Sequence, residues 1–305
     1  MRFGRHSNRM QRARSLLGTI VEISVTGGPP GACEAAIDAA FAAVAQVHAL
    51  MSFHEPDSDV SRLNHSAGTT AIKIHEWTFQ VLQAAAELHQ RSHGLFNVAI
   101  APVLQDLGLL PASAGAPVEF SLHQATDAIE LGPGRHARLR GPLVRIDLGG
   151  IAKGFAVDCA VAVLRARGVP AGIVNAGGDL RAFGADPQVI HIRDPRDPAA
   201  MLACVLVCNE AMASTAGRFD PVQDRDVADS AVIDPRCGRL PRAVCGTSVR
   251  ASSCMAADAL TKIVMIAGQG AATVLEHYGA SAMFVSATGQ ICATSDWQDL
   301  IRLAS

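Results

Sequence analysis

A chain of 305 residues is long enough for a full core, and with 49% hydrophobic residues, 18% charged residues and a net charge of −2 it has the composition of a globular protein free in solution. Near-neutral charge and 4% aromatic residues speak against nucleic acid as a partner, because such a surface needs a basic face and rings to stack on bases. No run approaches the roughly 20 apolar residues of a bilayer span, so no membrane span is expected. The first 25 residues pass from arginines straight into an alternating strand, without the apolar stretch of a secretory signal. The chain as written is therefore expected in the cytoplasm, and in the periplasm if a leader was lost.

Arg2, Arg5, Arg9, Arg12 and Arg14 crowd the start, and residues 1–15 read as a solvated basic arm ahead of one domain over 16–305. "TIVEISV" at 19–25 alternates as a half-buried strand and ends in a Gly/Pro turn cluster. "ACEAAIDAAFAAVAQVHALMS" is an alanine-rich helix with apolar residues on most faces, hence expected to be largely buried. "HEWTFQVLQAAAELHQRSHG" is a second helix stopped by Gly94. From Leu107 to Gly141 the chain reads as an irregular surface excursion.

"LVRID", "AGIVNAGGD", "VIHIR" and "LACVLVC" then alternate strand and turn around one long helix closed by Gly168. "TSVRASSCMAADALTKIVMIAG" passes from strand to helix, "AATVLEHYG" is a further helix, and "SAMFVSATG" returns as a strand. Helices grouped early and late around a run of strands argue for α+β architecture. Eight cysteines show no C-x-x-C pair; Cys204 and Cys208, on one strand face, read as buried thiols rather than metal ligands. The eleven histidines show no ligand spacing.

"GGIAKG", Gly149–Gly154, fits neither the P-loop nor the dinucleotide fingerprint. Glycines, a helix N-terminus and Lys153 nevertheless suit phosphate or pyrophosphate, and a plain strand-to-helix turn with a surface lysine is an equal alternative. "NAGGD", Asn175–Asp179, reads as a hairpin turn. In "MSFHEPDSDVSRLN" Ser58 or Asp59 can cap a helix, and Met51 is either core or packed on a flat ring. "MAADALTKIV" puts Asp258, Thr261 and Lys262 on one helix face, either as an Asp–Lys pair or as oxygen ligands of a hard cation.

Taken in order, "LLGTIVEISV", "MSFHEPDSDVSRLN", "GLFNVAIAPVL", "IDLGGIAKGFAVD", "NAGGDLRAFG", "VIDPRCG" and "ADALTK" resemble the ApbE family of FAD:protein FMN transferases over nearly the whole chain. The resemblance implies an ApbE-like (T-fold-related) α+β fold with a mixed sheet packed with helices. It implies FAD as substrate, Mg2+ as cofactor, and an acceptor protein whose threonine or serine receives FMN while AMP leaves, most often a membrane redox subunit. It further implies that Asp147 and Lys153 contact FAD, that Met51, the backbone of Ala99, Ile100 and Ala101, and Val232 line the flavin nucleotide pocket, and that the Gly150 carbonyl, Asp258 and Thr261 hold the metal. No catalytic residue is assigned.

Three positions depart from the family pattern: Ala231 stands where a histidine is expected, Cys237-Gly238 replaces Thr-Gly, and Lys262 stands where a metal-ligating threonine is expected, with Thr261 one position earlier. The lysine there either serves as a built-in cation that lessens the need for magnesium or shifts the register of the ligands. "AMASTAGRF" matches the family's Thr-Ser-Gly segment only loosely. The missing histidine favours a non-catalytic flavin carrier as an alternative, and hydrolysis of FAD to FMN and AMP is another.

Overall fold

Leu17 and Gly18, both at positive φ, join two eight-residue strands, β1 (Arg9–Leu16) and β2 (Thr19–Thr26), in a two-residue hairpin. The computed structural model describes residues 9–111, 127–197, 199–217, 232–298 and 301–303. β1 corrects the expected solvated arm over residues 9–15. Strand alternation puts Arg12 and Arg14 on one face, where they reach Glu34 and Asp38 of the next helix, and the Arg14 guanidinium lies 4.5 Å from the Phe41 ring centroid.

That helix, α1 (Pro30–Met51), buries a stripe of Cys33, Ile37, Phe41, Val44, Val47 and Met51 at helical spacing. Its other face, with Ala32, Ala35, Ala42, Ala45 and Ala49, is exposed, so it is less buried than expected. Alanine there supplies helix propensity without demanding burial. By length and composition α1 is also apolar enough to cross a bilayer, which the sequence expectation overlooked; here its apolar stripe belongs to the main core.

α2 (Asp59–His65) starts at Ser58, whose hydroxyl accepts the Ser61 N–H, and β3 (Ile72–Lys73) leads into α3 (Glu76–Arg91). After α4 (Ala101–Asp106), the supposed loop holds a hairpin of β4 (Ile129–Gly132) and β5 (His136–Leu139), turned by Gly134 and Arg135 at positive φ and paired to β3. α5 (Ala152–Ala166) is followed by β6 (Ala171–Ala176) and β7 (Asp179–Phe183), with Gly177 and Gly178 at positive φ between them, the hairpin read from "NAGGD".

Next come β8 (Gln188–Arg193), β9 (Met201–Val207), β10 (Ala211–Ala216), β11 (Val244–Ala251), α6 (Cys254–Ala267), α7 (Ala272–His277), β12 (Ser281–Ser286), β13 (Ile291–Ala293), α8 (Ser295–Gln298) and β14 (Ile301–Leu303). Eight strands form one sheet in the order β1-β2-β6-β7-β10-β11-β12-β13, β14-β9-β8 form a second, and β3-β5-β4 a third.

The α+β class holds. Every ladder among the described residues is antiparallel, where a mixed sheet was expected. The main core gathers α1, α3, α5 and α6 with the large sheet, and a second core, with Leu180, Met212, Val205 and Trp297, joins that sheet to β8 and β9. In β9 alternation turns Ala203, Val205 and Val207 inward, so Cys204 is only half-buried, and Cys208 lies exposed beyond the strand end. The buried-thiol expectation fails at both; Cys33 and Cys254 are the buried ones.

Candidate active site

The segment "LVRID" was expected as a strand and joins no ladder. Its backbone is held by two other elements instead. Asn64 at the end of α2 accepts the Ile146 N–H at 2.8 Å and donates to the Ile146 carbonyl at 3.0 Å, and Asp147 N–H donates to Val98 O at 2.9 Å. This clamp fixes the approach to Gly149. Replacing Asn64 with alanine leaves two buried main-chain groups unpaired, so Asn64→Ala should cost about 2 kcal/mol, read as a lower midpoint in urea.

Past the clamp, the Gly149–Gly150 turn and Lys153 face a cavity of about 340 Å³, within the size range of small-molecule sites. Its apolar lining includes Leu95, Val98, Ile100, Leu104, Val232 and Ile266. Its polar lining includes Asp147, Lys153, Ser214, Thr215 and Lys262.

Behind the polar lining α5 and α6 cap each other. Asp158 of α5 accepts the Cys254 and Met255 N–H groups at 3.0 and 2.9 Å, and Asp258 of α6 accepts the Gly154 N–H at 3.0 Å. Carboxylates at helix N-termini satisfy orphan amides and complement the dipole. Each carboxylate also holds a cation: Asp158 pairs with Arg181 at 2.5 Å and Asp258 with Lys262. Lys153 Nζ bonds Asp179 Oδ2 at 2.7 Å, while Asp179 Oδ1 is buried without a partner.

Burial alone pushes Asp258 up, but the ammonium groups of Lys262 and Lys153 and the Gly154 N–H outweigh it and hold the carboxylate below its ordinary range. Lys153 is opposed by burial, yet Asp258 and Asp179 raise it above the ordinary lysine value, so it stays charged. Asp179 is pushed up to about 6 by burial and by the Asp258 charge, against the pull of Lys153 and Lys262. Asp147 is raised by burial, partly offset by the Gly149 N–H.

The sign for ligand binding follows. An anion at Lys153 is repelled by ionised Asp179 and not by the protonated acid, so anion affinity should strengthen a few-fold as pH falls from 7.5 through about 6. Asp179→Asn should flatten that profile in a titration of FAD fluorescence; an unchanged slope would detach Asp179 from the site.

The structure brings Ile100, Asp147, Gly150, Lys153 and Val232 together at the cavity. Met51, Ala99 and Ala101 are buried and are not among the residues that line it, although Ile100 between the two alanines does. Asp258 and Thr261 lie fully buried behind Lys262. Ala231 lies outside the described residues, as does the end of "AMASTAGRF".

Sequence reasoning missed Asn64, Asp158, Asp179, Ser214 and Thr215. Asp179 stood in the "NAGGD" motif, but only as a turn residue; its burial and its pairing with Lys153 appear only in the structure. The partners of the others lie far away in sequence and leave no local pattern.

Do these residues fit the magnesium ion that the family resemblance implies? They do not. Asp258 Oδ1 is taken by Lys262 and Oδ2 by Gly154, and the Thr261 hydroxyl donates to Asp258 O at 2.7 Å and meets Thr215 Oγ1 at 2.8 Å. Among the described residues no three His, Cys, Asp or Glu side chains converge as a metal site.

The sequence model of the ApbE family matches residues 17–285. Among similar proteins, an FAD:protein FMN transferase of Rhodobacter capsulatus is 29% identical over 269 residues, which is 83% of this chain and 50% of that protein. The chain thus spans about half the length of that relative. An FAD:protein FMN transferase of Treponema pallidum is 25% identical over 320 residues, covering 96% of this chain and 88% of its own length.

In shape, the ApbE protein of Thermotoga maritima superposes with a TM-score of 0.85 at 23% identity, over 97% of this chain and 100% of that one. The flavin transferase ApbE of Vibrio cholerae gives 0.83 at 23% identity, over 96% and 99%. With one family pattern running from the first hairpin to β12, the chain belongs to the ApbE family.

Proposed function

We propose that this chain binds FAD in the cavity and transfers its FMN moiety to a threonine or serine of an acceptor protein, releasing AMP. The observation that carries the reading is a single cavity lined both by apolar side chains, suited to a flat flavin ring, and by two ammonium groups, Lys153 and Lys262, suited to a diphosphate. Family membership and relatives named FAD:protein FMN transferase support it.

In the transfer, the acceptor oxygen bonds to the flavin-side phosphorus, the bond from that phosphorus to the bridging oxygen breaks, and the hydroxyl proton is lost. Negative charge then grows on the departing AMP phosphate, where fixed ammonium groups stabilise it more than in the ground state. Lys153 is held for this by Asp179 and Lys262 by Asp258. The cleft of about 880 Å³ between the large sheet and the β8–β9 pair shares Ser214, Thr215 and Ala216 with the cavity, which gives the acceptor hydroxyl a route of approach. We place the acceptor among membrane redox subunits.

Ala231 in the position of the family histidine favours a flavin carrier as the second reading. Purified protein, FAD and an acceptor domain bearing a flavinylation threonine should give a fluorescent band and an FMN-sized mass increase. FAD binding with neither adduct nor AMP would make the carrier the better reading, and AMP without adduct would indicate hydrolysis.

A further inference from the structure

We infer that the Lys262 ammonium is the resident cation of this site, so that the chain takes up a diphosphate without a divalent metal. This rests on the reading of the cavity as an FAD site.

An ammonium carries three protons, and Lys262 Nζ has three oxygen neighbours: Asp258 Oδ1 in contact, Asp258 O at 3.1 Å and Thr215 Oγ1 at 3.5 Å. The lysine stem runs past the turn, its Cε 3.7 Å from the point where a Cβ on Gly150 would lie. The charge therefore sits among the groups assigned by resemblance to a metal: the Gly150 turn, Asp258 and the Thr261 level of α6.

The side-chain oxygens among them are already engaged. The remaining Asp258 oxygen accepts from Gly154, and the Thr261 hydroxyl is enclosed between Asp258 O and Thr215 with no exposed surface. Magnesium wants about six oxygens in octahedral array, at least one of them a free carboxylate. Here the Asp258 carboxylate is already paired with an ammonium, and a divalent ion would enter beside two ammonium groups. The other acids nearby are Asp179, which holds Lys153 through one oxygen, and Asp147, and burial raises both. Asp258 is also engaged in holding the start of α5, so it cannot swing out to meet an ion without opening the helix pair.

Lysine thus supplies permanently what the ion would supply on demand: positive charge in the polar lining, with Lys262 lining the cavity beside Lys153. The charge is single rather than double, and it cannot be removed by a chelator.

The test uses the full chain. Mn2+, read by electron paramagnetic resonance on ligand-free protein, should show no saturable site up to about 1 mM, and FAD affinity should agree within about twofold in EDTA and in millimolar Mg2+. Lys262→Thr should lose at least about tenfold in FAD affinity in EDTA, regain it with Mg2+, and show one saturable Mn2+ site.

One Mn2+ bound by the wild type and competed by Mg2+, or a wild-type FAD affinity that drops about tenfold in EDTA, would overturn the inference. The wild-type measurements decide the matter if the variant does not fold. A wild type that binds no FAD with or without Mg2+ would defeat the flavin reading instead, while the Mn2+ measurement still decides which cation holds the site.

Discussion

Gly154→Ala is expected to lower stability by at least about 3 kcal/mol, at the upper end of overpacking costs. A Cβ at residue 154 would lie 2.2 Å from the Cys254 carbonyl oxygen, 2.6 Å from its carbon and 2.8 Å from the Asp258 Cβ. Two of those atoms are main chain, and Cys254 cannot retreat because its N–H is bound to Asp158 Oδ1 of the same helix that would push it. A methyl group therefore strains both caps at once. A melting temperature roughly 6–10 °C lower should accompany the change, with FAD affinity falling in parallel as Asp258 and Lys262 are displaced. A melt within about 1 °C of wild type would show that the helices do not approach this closely.

Lys153→Met is expected to weaken FAD binding roughly 10–100-fold, the scale of one charge-assisted hydrogen bond, while leaving riboflavin affinity unchanged. Methionine keeps most of the side-chain volume and removes the charge. Asp179 then loses its bonded ammonium and keeps only the weaker pull of Lys262, so its carboxyl rises above about 6 and takes a proton more readily near neutral pH. That proton removes the repulsion the anion would meet and keeps the loss below that of an uncompensated buried charge. Equal losses for FAD and riboflavin in a fluorescence titration would mean a general disturbance, and no loss for either would place the diphosphate elsewhere.

What could be read before the structure was what depends on near neighbours in sequence. The hairpin at Gly177–Gly178 follows from two glycines free to take positive φ, and the Asp258–Lys262 pair follows from i, i+4 spacing on a helix. Both readings of that helix face were open from spacing alone, and the structure shows the lysine turned back onto the aspartate.

The failures share a cause. "LVRID" has the composition of a strand, but its hydrogen bonds go to a side chain 82 residues earlier, so no local pattern could separate it from a ladder. β1 looked like an arm because its arginines were read without partners, when Arg12 and Arg14 meet acids on α1 and Arg9 bonds Ser24 of β2. Asp158 and Asp258 each cap a helix that begins about a hundred residues away. Such reach leaves no trace in spacing.

That reach governs when the site comes into being. The two caps join residues 96 and 104 positions apart, so neither is made until α6 has been synthesised and brought back against α5. Contacts of long sequence separation form slowly, and domains acquire them late as the chain emerges. A growing chain that has completed β10 has Lys153 and Asp179, yet lacks the helix that secures the first turn of α5 and the second ammonium group. Ligand uptake at this cavity would in this sense report that α6 has been made: a truncated product ending before α6 holds most of the cavity's residues and none of its closure.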